Sequence, residues 1–579
     1  MYLSSLQVEN YRAVRSASLE FDQTTVLIGE NDCGKTSLMN ALAKVLDASF
    51  SDDSLSFDAE EFHHEEGSQI PAGPIRIILG FQERHAGEWS GDVYALLTTL
   101  LPEQVKKPRK LVLVVTASPV EQGESIADLR LQVPGSGDSL SDPGIFHWLQ
   151  QMNPLIRISS SMLTGHGINH ELIDSSKLVD GSSVPAIKSQ LERIQTTTAS
   201  LLSGSSKNMA GDLEEGFAAA RELIENSGKH FSWGRQAINR AIEEIQGQEK
   251  GDEKQPIALN ESGSYAERLG VLLLVAALLR EYPDGFLPQA EPIWIVEDPE
   301  AHLHPMTLAS VALMLGHIQW QKIITTHSGD LLATLPLRRI RRLMRYEGVV
   351  HQYRVREKAL SLEDLRRLGY HQRAHNGVAS FARLWLLVEG ESEFWVVPQI
   401  ARHMGYEFAL EGINCIEFAQ CGLEPLVKAA KELGIEWHLL ADGDDAGRHY
   451  IESARDFLDG DEEQDRLTLL RELDIEHCFW HNGFAEVYEN HSRMSPGALQ
   501  QNPPKQVIRQ AVKNRSKPYL ALSVVEAVAK PDSPGIPDVL LRLVETCVRL
   551  ARAAPSRHAM NSNEPSNKPS RQAKKGEDT

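Results

Sequence analysis

The stretch that most limits what this chain can become is Gly29-Glu-Asn-Asp-Cys-Gly34-Lys35-Thr36. An apolar run, Thr24-Thr-Val-Leu-Ile28, leads into it, and Ser37 to Leu46 follows with the apolar spacing of an amphipathic helix. Strand, glycine-rich loop and helix in that order make a phosphate cradle. Gly29 and Gly34 let backbone N–H groups wrap a polyphosphate, and the helix N-terminus adds positive potential. Lys35 would neutralise the β- and γ-phosphates, and the Thr36 hydroxyl would ligate Mg²⁺. Asn31 and Ser37 belong to the same loop and first turn. The expected ligand is a nucleoside polyphosphate with Mg²⁺, and the expected fold class is α/β.

Two further apolar runs end in the groups such a cradle needs. Pro292-Ile-Trp-Ile-Val is followed by Glu297-Asp298, and Ile323-Ile-Thr-Thr by His327-Ser328. Glu297 stands where the Mg²⁺-associated carboxylate belongs, and Asp298 where a base orienting the attacking water belongs. His327, at the neighbouring strand's end, would sense the γ-phosphate. Alternating apolar residues at Leu3, Leu6, Val8 and Tyr11, then Ala17, Leu19 and Phe21, predict a hairpin. Ile75 to Phe81 and Lys110 to Thr116 read as further strands.

A second constellation begins at Leu384-Trp-Leu-Leu-Val388, which turns at Glu389-Gly-Glu-Ser-Glu393. Trp437-His-Leu-Leu-Ala441 then ends in Asp442-Gly-Asp444-Asp-Ala-Gly447. Short apolar runs bounded by glycine read as buried parallel strands, whose C-terminal ends are where open α/β sheets place their sites. Glu389, Glu393, Asp442 and Asp444 at one sheet edge would repel one another without a counter-ion. Hard oxygen donors suit Mg²⁺ or Mn²⁺.

Composition narrows the partners. A net charge of −21 over 579 residues excludes nucleic-acid binding across the whole surface, so any contact with DNA needs a local basic patch. Arg338 to Arg345, with five arginines in eight positions, is one candidate; a solvated helix face is the alternative. Five cysteines without metal spacing fit a reducing compartment. No secretion signal opens the chain, and no apolar run approaches the ~20 residues that span a bilayer. A cytoplasmic protein without membrane partners is expected.

The cradle, Glu297-Asp-Pro-Glu-Ala-His-Leu-His-Pro305 and Thr325-Thr-His-Ser328 resemble the ABC-type ATPase heads of recombination and repair ATPases. The resemblance implies two heads sandwiching the nucleotide, hence a homodimer or higher homo-oligomer. It also implies a Ser-Gly signature, best matched by Ser262 and Gly263 in Glu261 to Arg268, although the Gln expected near the following helix start is missing. Asp298 is shorter than the usual Glu, which implies slow hydrolysis. The Glu389 to Glu393 and Asp442 to Asp444 motifs resemble the Toprim module. An ABC-type head followed by Toprim is the arrangement of the overcoming-lysogenization-defect (OLD) family of ATP-dependent endonucleases.

That resemblance implies metal ligation by Glu389, Glu393, Asp442 and Asp444. A further acid is matched to Glu486, and a lysine that stabilises charge at phosphorus to Lys517; together these allow two-metal cleavage of DNA. The implied layout is an ATPase N-terminal lobe over 1–153, a helical insertion over 154–255 that serves as a dimerisation arm or packs on its own domain, and a C-terminal ATPase lobe over 256–375. A Rossmann-like Toprim domain over 380–500, helices over 501–552 and a disordered tail over 553–579 complete it. A DNA-binding repair ATPase with a non-cutting Toprim platform is the competing expectation. A role in repair or phage defence would rest on family analogy alone.

Overall fold

A computed structural model describes residues 1–46, 55–65, 67–68, 70–97, 101, 107–120, 123–134, 139–158, 290–301, 320–374 and 377–562, with isolated positions 193, 196, 215, 218, 219 and 308. Most of the expected helical insertion, the segment carrying Ser262 and Gly263, and residues 563–579 lie outside the described residues. The chain packs as two units, Met1–Phe381 and Ala382–Thr579.

The first unit contains β1 (Tyr2–Tyr11), β2 (Val14–Glu20), β3 (Thr24–Gly29), β4 (Ser56–Phe57), β5 (Ile75–Gln82), β6 (Lys110–Ala117), β7 (Ser125–Ile126), β8 (Asp128–Gln132), β9 (Ser139–Leu140), β10 (Leu155–Ile158), β11 (Ile293–Glu297), β12 (Gln321–Thr325), β13 (Ile340–Tyr346) and β14 (Val349–Tyr353). Twelve of these form one mixed sheet in the order β10-β11-β12-β3-β13-β14-β2-β1-β5-β6-β8-β9. The hairpin of β1 and β2 closes with Tyr11 opposite Val14, and antiparallel pairing continues from β1 through β5 and β6 to β8. From β10 to β13 the strands run parallel, so β3, β11 and β12 finish at the same edge. The helix Lys35–Leu46 turns Leu38, Met39, Leu42 and Val45 into the core that also holds Leu6, Val8, Ile77 and Leu113.

The second unit has β15 (Leu384–Val388), β16 (Ile413–Glu417), β17 (Glu436–Ala441) and β18 (Leu467–Leu469), all parallel, in the order β16-β15-β17-β18. All five residues of β15 and all six of β17 are buried, as strands covered on both faces must be. Helices Glu391–His403, Leu423–Glu432 and Asp445–Arg455 supply the crossovers. After β18 come helices Ile475–Phe479, Ala485–Ser492, Pro496–Gln501, Pro504–Asn514, Lys517–Val528 and Asp538–Ser562. Glu436 on β17 pairs with Arg466, which also donates to Asp461 (2.7 Å) and to the Trp437 carbonyl (2.9 Å).

Three expectations need correction. Arg338 to Arg345 is neither a basic patch nor a helix face, because it holds the mid-sheet strand β13 with Arg341 and Arg342 buried. Arg341 donates to the carbonyls of Arg338 (2.7 Å) and Ile340 (3.1 Å) and pairs with Asp22. Leu155–Ile158, expected to lie in a helical insertion, instead form β10, whose alternate Ile156 and Ile158 suit a strand that finds a parallel partner in β11. The tail expected to be disordered from 553 continues the last helix as far as Ser562, with Ala551 and Ala554 buried in its packing.

Candidate active site

Strand register brings the second unit's carboxylates together. Val388 pairs with Leu440, so Glu389 and Asp442 leave neighbouring parallel strands at one edge. The chain then turns at Gly390 into the helix Glu391–His403, and Glu393 on its first turn accepts from the Gly390 N–H at 3.2 Å. Asp444 caps the helix Asp445–Arg455, its Oδ1 accepting from the Gly447 N–H at 2.8 Å. Gly447 is obligatory: a Cβ there would lie 1.9 Å from the Asp442 carbonyl oxygen.

Two acids not anticipated from the sequence join this set. Glu476, on the helix Ile475–Phe479, is buried and accepts from the Ser392 hydroxyl at 2.6 Å. Asp474 caps that helix and accepts from the His477 N–H at 2.8 Å. Their signal was an Asp-Ile-Glu run just after β18, where an N-capping aspartate opens a helix. Glu486, assigned from the sequence as the further acid, is exposed on the helix Ala485–Ser492, whereas Asp474 and Glu476 are the later acids whose charges raise Asp442.

Electrostatics define the cluster. Burial pushes Asp442 up to about 8, and Glu393, Glu389, Asp474 and Glu476 add to that push. Burial and then Glu476 likewise hold Glu393 up at about 8, overriding the helix N-terminus that would favour its charge. Glu389 is raised by burial and by Asp444, and its Oε2 is buried without a hydrogen-bond partner among the described residues. The ammonium of Lys517, at the start of the helix Lys517–Val528, draws Glu389, Glu393 and Glu417 back toward ionisation. Among the described residues no three His, Cys, Asp or Glu side chains already converge on a metal-coordinating point. An orphaned buried carboxylate oxygen and a surplus of hard oxygen donors nonetheless fit a divalent cation.

In the first unit, the loop after β3 folds as a cradle. Gly34 adopts φ +94°, a conformation that favours glycine. Lys35 is buried, its Nζ donating to the carbonyls of Gly29 (2.9 Å) and Glu30 (3.1 Å), while Asn31 and Thr36 are exposed and Ser37 half-buried. Parallel pairing of β11, β12 and β3 puts Glu297, Asp298 and His327 at the edge where this loop emerges. Arg157 on β10 grips Glu297 through both oxygens (2.7 and 2.9 Å), a partner the sequence did not suggest. Asp298, at φ +44°, accepts from the Thr325 hydroxyl at 3.2 Å. Glu300 accepts from the Thr326 hydroxyl (2.8 Å) and from the backbone N–H of His327, whose ring is exposed.

Comparison with known proteins follows the same division. Residues 1–379 match the family described as a protein of unknown function, DUF2813, and residues 381–444 match the OLD-like Toprim domain. The chain is 31% identical to the uncharacterized protein YbjD of Escherichia coli K12, over 95% of this chain and 99% of that protein. It is 21% identical to the endonuclease GajA of Bacillus cereus VD045, over 77% of this chain and 75% of that protein. Among solved structures, the C-terminal region of the Xanthomonas campestris pv. campestris OLD protein matches 31% of this chain and 97% of its own at 19% identity, with a TM-score of 0.26. The SMC head domain from Thermotoga maritima matches 62% of this chain and all of its own at 14% identity, with a TM-score of 0.31.

Proposed function

The chain belongs to the DUF2813 family and is an OLD-family protein with an ATPase head and a Toprim domain, and on that premise we propose that it is an ATP-binding, metal-dependent DNA endonuclease. The observation that carries the proposal is the acid cluster at the ends of β15 and β17, in which Asp442 and Glu393 are held up at about 8 and a buried Glu389 oxygen has no hydrogen-bond partner among the described residues. Burying such groups without a partner costs on the order of several kcal/mol, which a mere scaffold would avoid with apolar residues. This argues against a Toprim platform that does not cut.

Glu389, Glu393, Asp442 and Asp444 would hold Mg²⁺ or Mn²⁺, with Glu476 replacing Glu486 as the further acid. Bound there, the ions supply Lewis acidity and charge neutralisation for phosphodiester hydrolysis. The chain's own contribution is to fix the donors. Ser392 positions Glu476, Gly447 lets the Asp442 turn close, and Lys517 offsets negative charge at a phosphate brought to the cluster.

In the first unit Lys35, Thr36 and Glu297 would hold Mg²⁺-ATP in the cradle with Gly29, Asn31, Gly34 and Ser37. Asp298 would orient water and His327 would contact the γ-phosphate, with ATP binding or hydrolysis regulating cleavage. The Lys35 ammonium, now on loop carbonyls, would transfer to phosphate oxygens. The test is nicking of supercoiled plasmid by the purified chain with Mg²⁺ or Mn²⁺, with and without ATP. Cleavage that chelation abolishes is expected; no cleavage under any combination of metal and nucleotide overturns the nuclease reading.

A further inference from the structure

Residues 490–525 contain no Asp or Glu but six cations: Arg493, Lys505, Arg509, Lys513, Arg515 and Lys517. A chain with 80 acids in 579 residues would carry about five in a stretch of that length. All six cations are exposed, and none has an ion-pair partner among the described residues, unlike Lys428, Arg448 and Arg455 elsewhere in the unit. The helix Pro504–Asn514 buries Val507, Ile508 and Ala511, leaving Lys505, Arg509 and Lys513 at successive intervals of four on its outer face. A rise of about 1.5 Å per residue spreads these three over roughly 12 Å of helix axis. The ridge leads to the acid cluster. Asn514 ties the end of this helix to the carbonyls of His491 (3.3 Å) and Ser492 (2.6 Å), and three residues further on the next helix opens at Lys517, whose charge acts on Glu389 and Glu393.

We propose that this ridge is a grip for the phosphate backbone of duplex DNA that delivers the strand to the carboxylate cluster; the inference rests on the nuclease reading above and adds the surface that holds the substrate. Phosphates recur every ~3.4 Å of axis along each strand, so a row of cations about 12 Å long spans several of them. Backbone contact fits better than stacking on unpaired bases. Tyr519, an aromatic ring beside the ridge, already has the Arg515 guanidinium over one face at 4.9 Å, where a stacking base would have to displace it. Lys505, Arg509 and Lys513 are donors only, and against phosphate oxygens they bind through charge and not through sequence.

The test uses the full-length chain and a fluorescently labelled 25-base-pair duplex, with Ca²⁺ in place of Mg²⁺, and follows anisotropy across a NaCl series. The ridge variant Lys505→Gln/Arg509→Gln/Lys513→Gln is compared with wild type and with a control, Lys428→Gln/Arg448→Gln/Arg455→Gln, that removes three ion-paired cations from the same unit. The expected result for the ridge variant is a log–log salt slope shallower by about 2.7 and binding at about 100 mM NaCl weaker by roughly tenfold or more. Its melting temperature should match wild type, and the control should keep the wild-type slope. Unchanged affinity and slope in the ridge variant, or equal losses in both triple variants, would overturn the proposal, as would a ridge variant that loses self-association but not DNA binding. A parallel nicking assay in Mg²⁺ separates the two readings: wild-type cleavage retained by the ridge variant at high DNA concentration upholds the nuclease, whereas absence of cleavage in all three proteins sinks the nuclease instead.

Discussion

Gly447 leaves no room for a side chain, because its Cβ position is 1.9 Å from the carbonyl oxygen and 2.7 Å from the carbonyl carbon of Asp442. Both contacts are backbone, so rotamer changes cannot relieve them. Gly447→Ala should therefore cost about 2–3 kcal/mol in denaturant unfolding and displace Asp442; a variant of wild-type stability would mean that the turn is looser than it looks. The protonation of Asp442 and Glu393 has its own consequence. Both are raised to about 8, so the folded chain binds more protons than the unfolded chain between the ordinary carboxylate range and that value. Stability of the metal-free protein is then full at acidic pH and falls as pH rises toward 8. Divalent metal needs the ionised form, so its affinity rises over the same interval. Melting curves in EDTA from about pH 5.5 to about pH 8.5 should show the decline, and Asp442→Asn should flatten it. An equally steep decline in that variant would assign the effect elsewhere.

At the level of elements, what the sequence made legible follows from local patterning. β15 and β17 are short apolar runs that end in acids, and their parallel pairing follows from burial on both faces. The cradle was legible for the same reason, since strand, loop and helix are contiguous. What was hidden depends on distant chain. Arg157 meets Glu297 across 140 positions, and Ser392 meets Glu476 across 84. Glu486 could be matched only by its place after the last strand, and that place does not say which face of the following helices turns inward. The arginines of β13 misled for a related reason, as a basic run in a strand can be absorbed by carbonyls and Asp22 when the strand is central. Two outcomes belong to this scale. Glu476→Gln should reduce cleavage by at least about tenfold while Glu486→Gln leaves it near wild type; the reverse order would restore the sequence-based assignment. Arg466→Met should cost about 2–4 kcal/mol by taking from buried Glu436 the nearer of two cations, with Arg557 remaining at 3.6 Å, and a loss below about 1 kcal/mol in a denaturation experiment would show that Arg557 compensates fully.

For the whole molecule, the chain divides into a unit with a phosphate cradle and a unit with an acid cluster, each with its own buried core. Among the described residues no helix is long and apolar enough to cross a membrane, and the five cysteines are buried thiols outside any disulfide. Separate cores predict separable lesions. Lys35→Ala should abolish ATP turnover yet leave the pH dependence of metal binding in the second unit intact; normal turnover in that variant would refute the cradle's role. The central claim is that the carboxylates at the ends of β15 and β17 cut DNA. The most direct measurement is the initial rate of supercoiled-plasmid nicking in Mg²⁺ by Asp442→Asn beside wild type, with melting curves to show that both are folded. A loss of at least roughly 100-fold is the predicted result; equal rates in the two folded proteins would contradict the account.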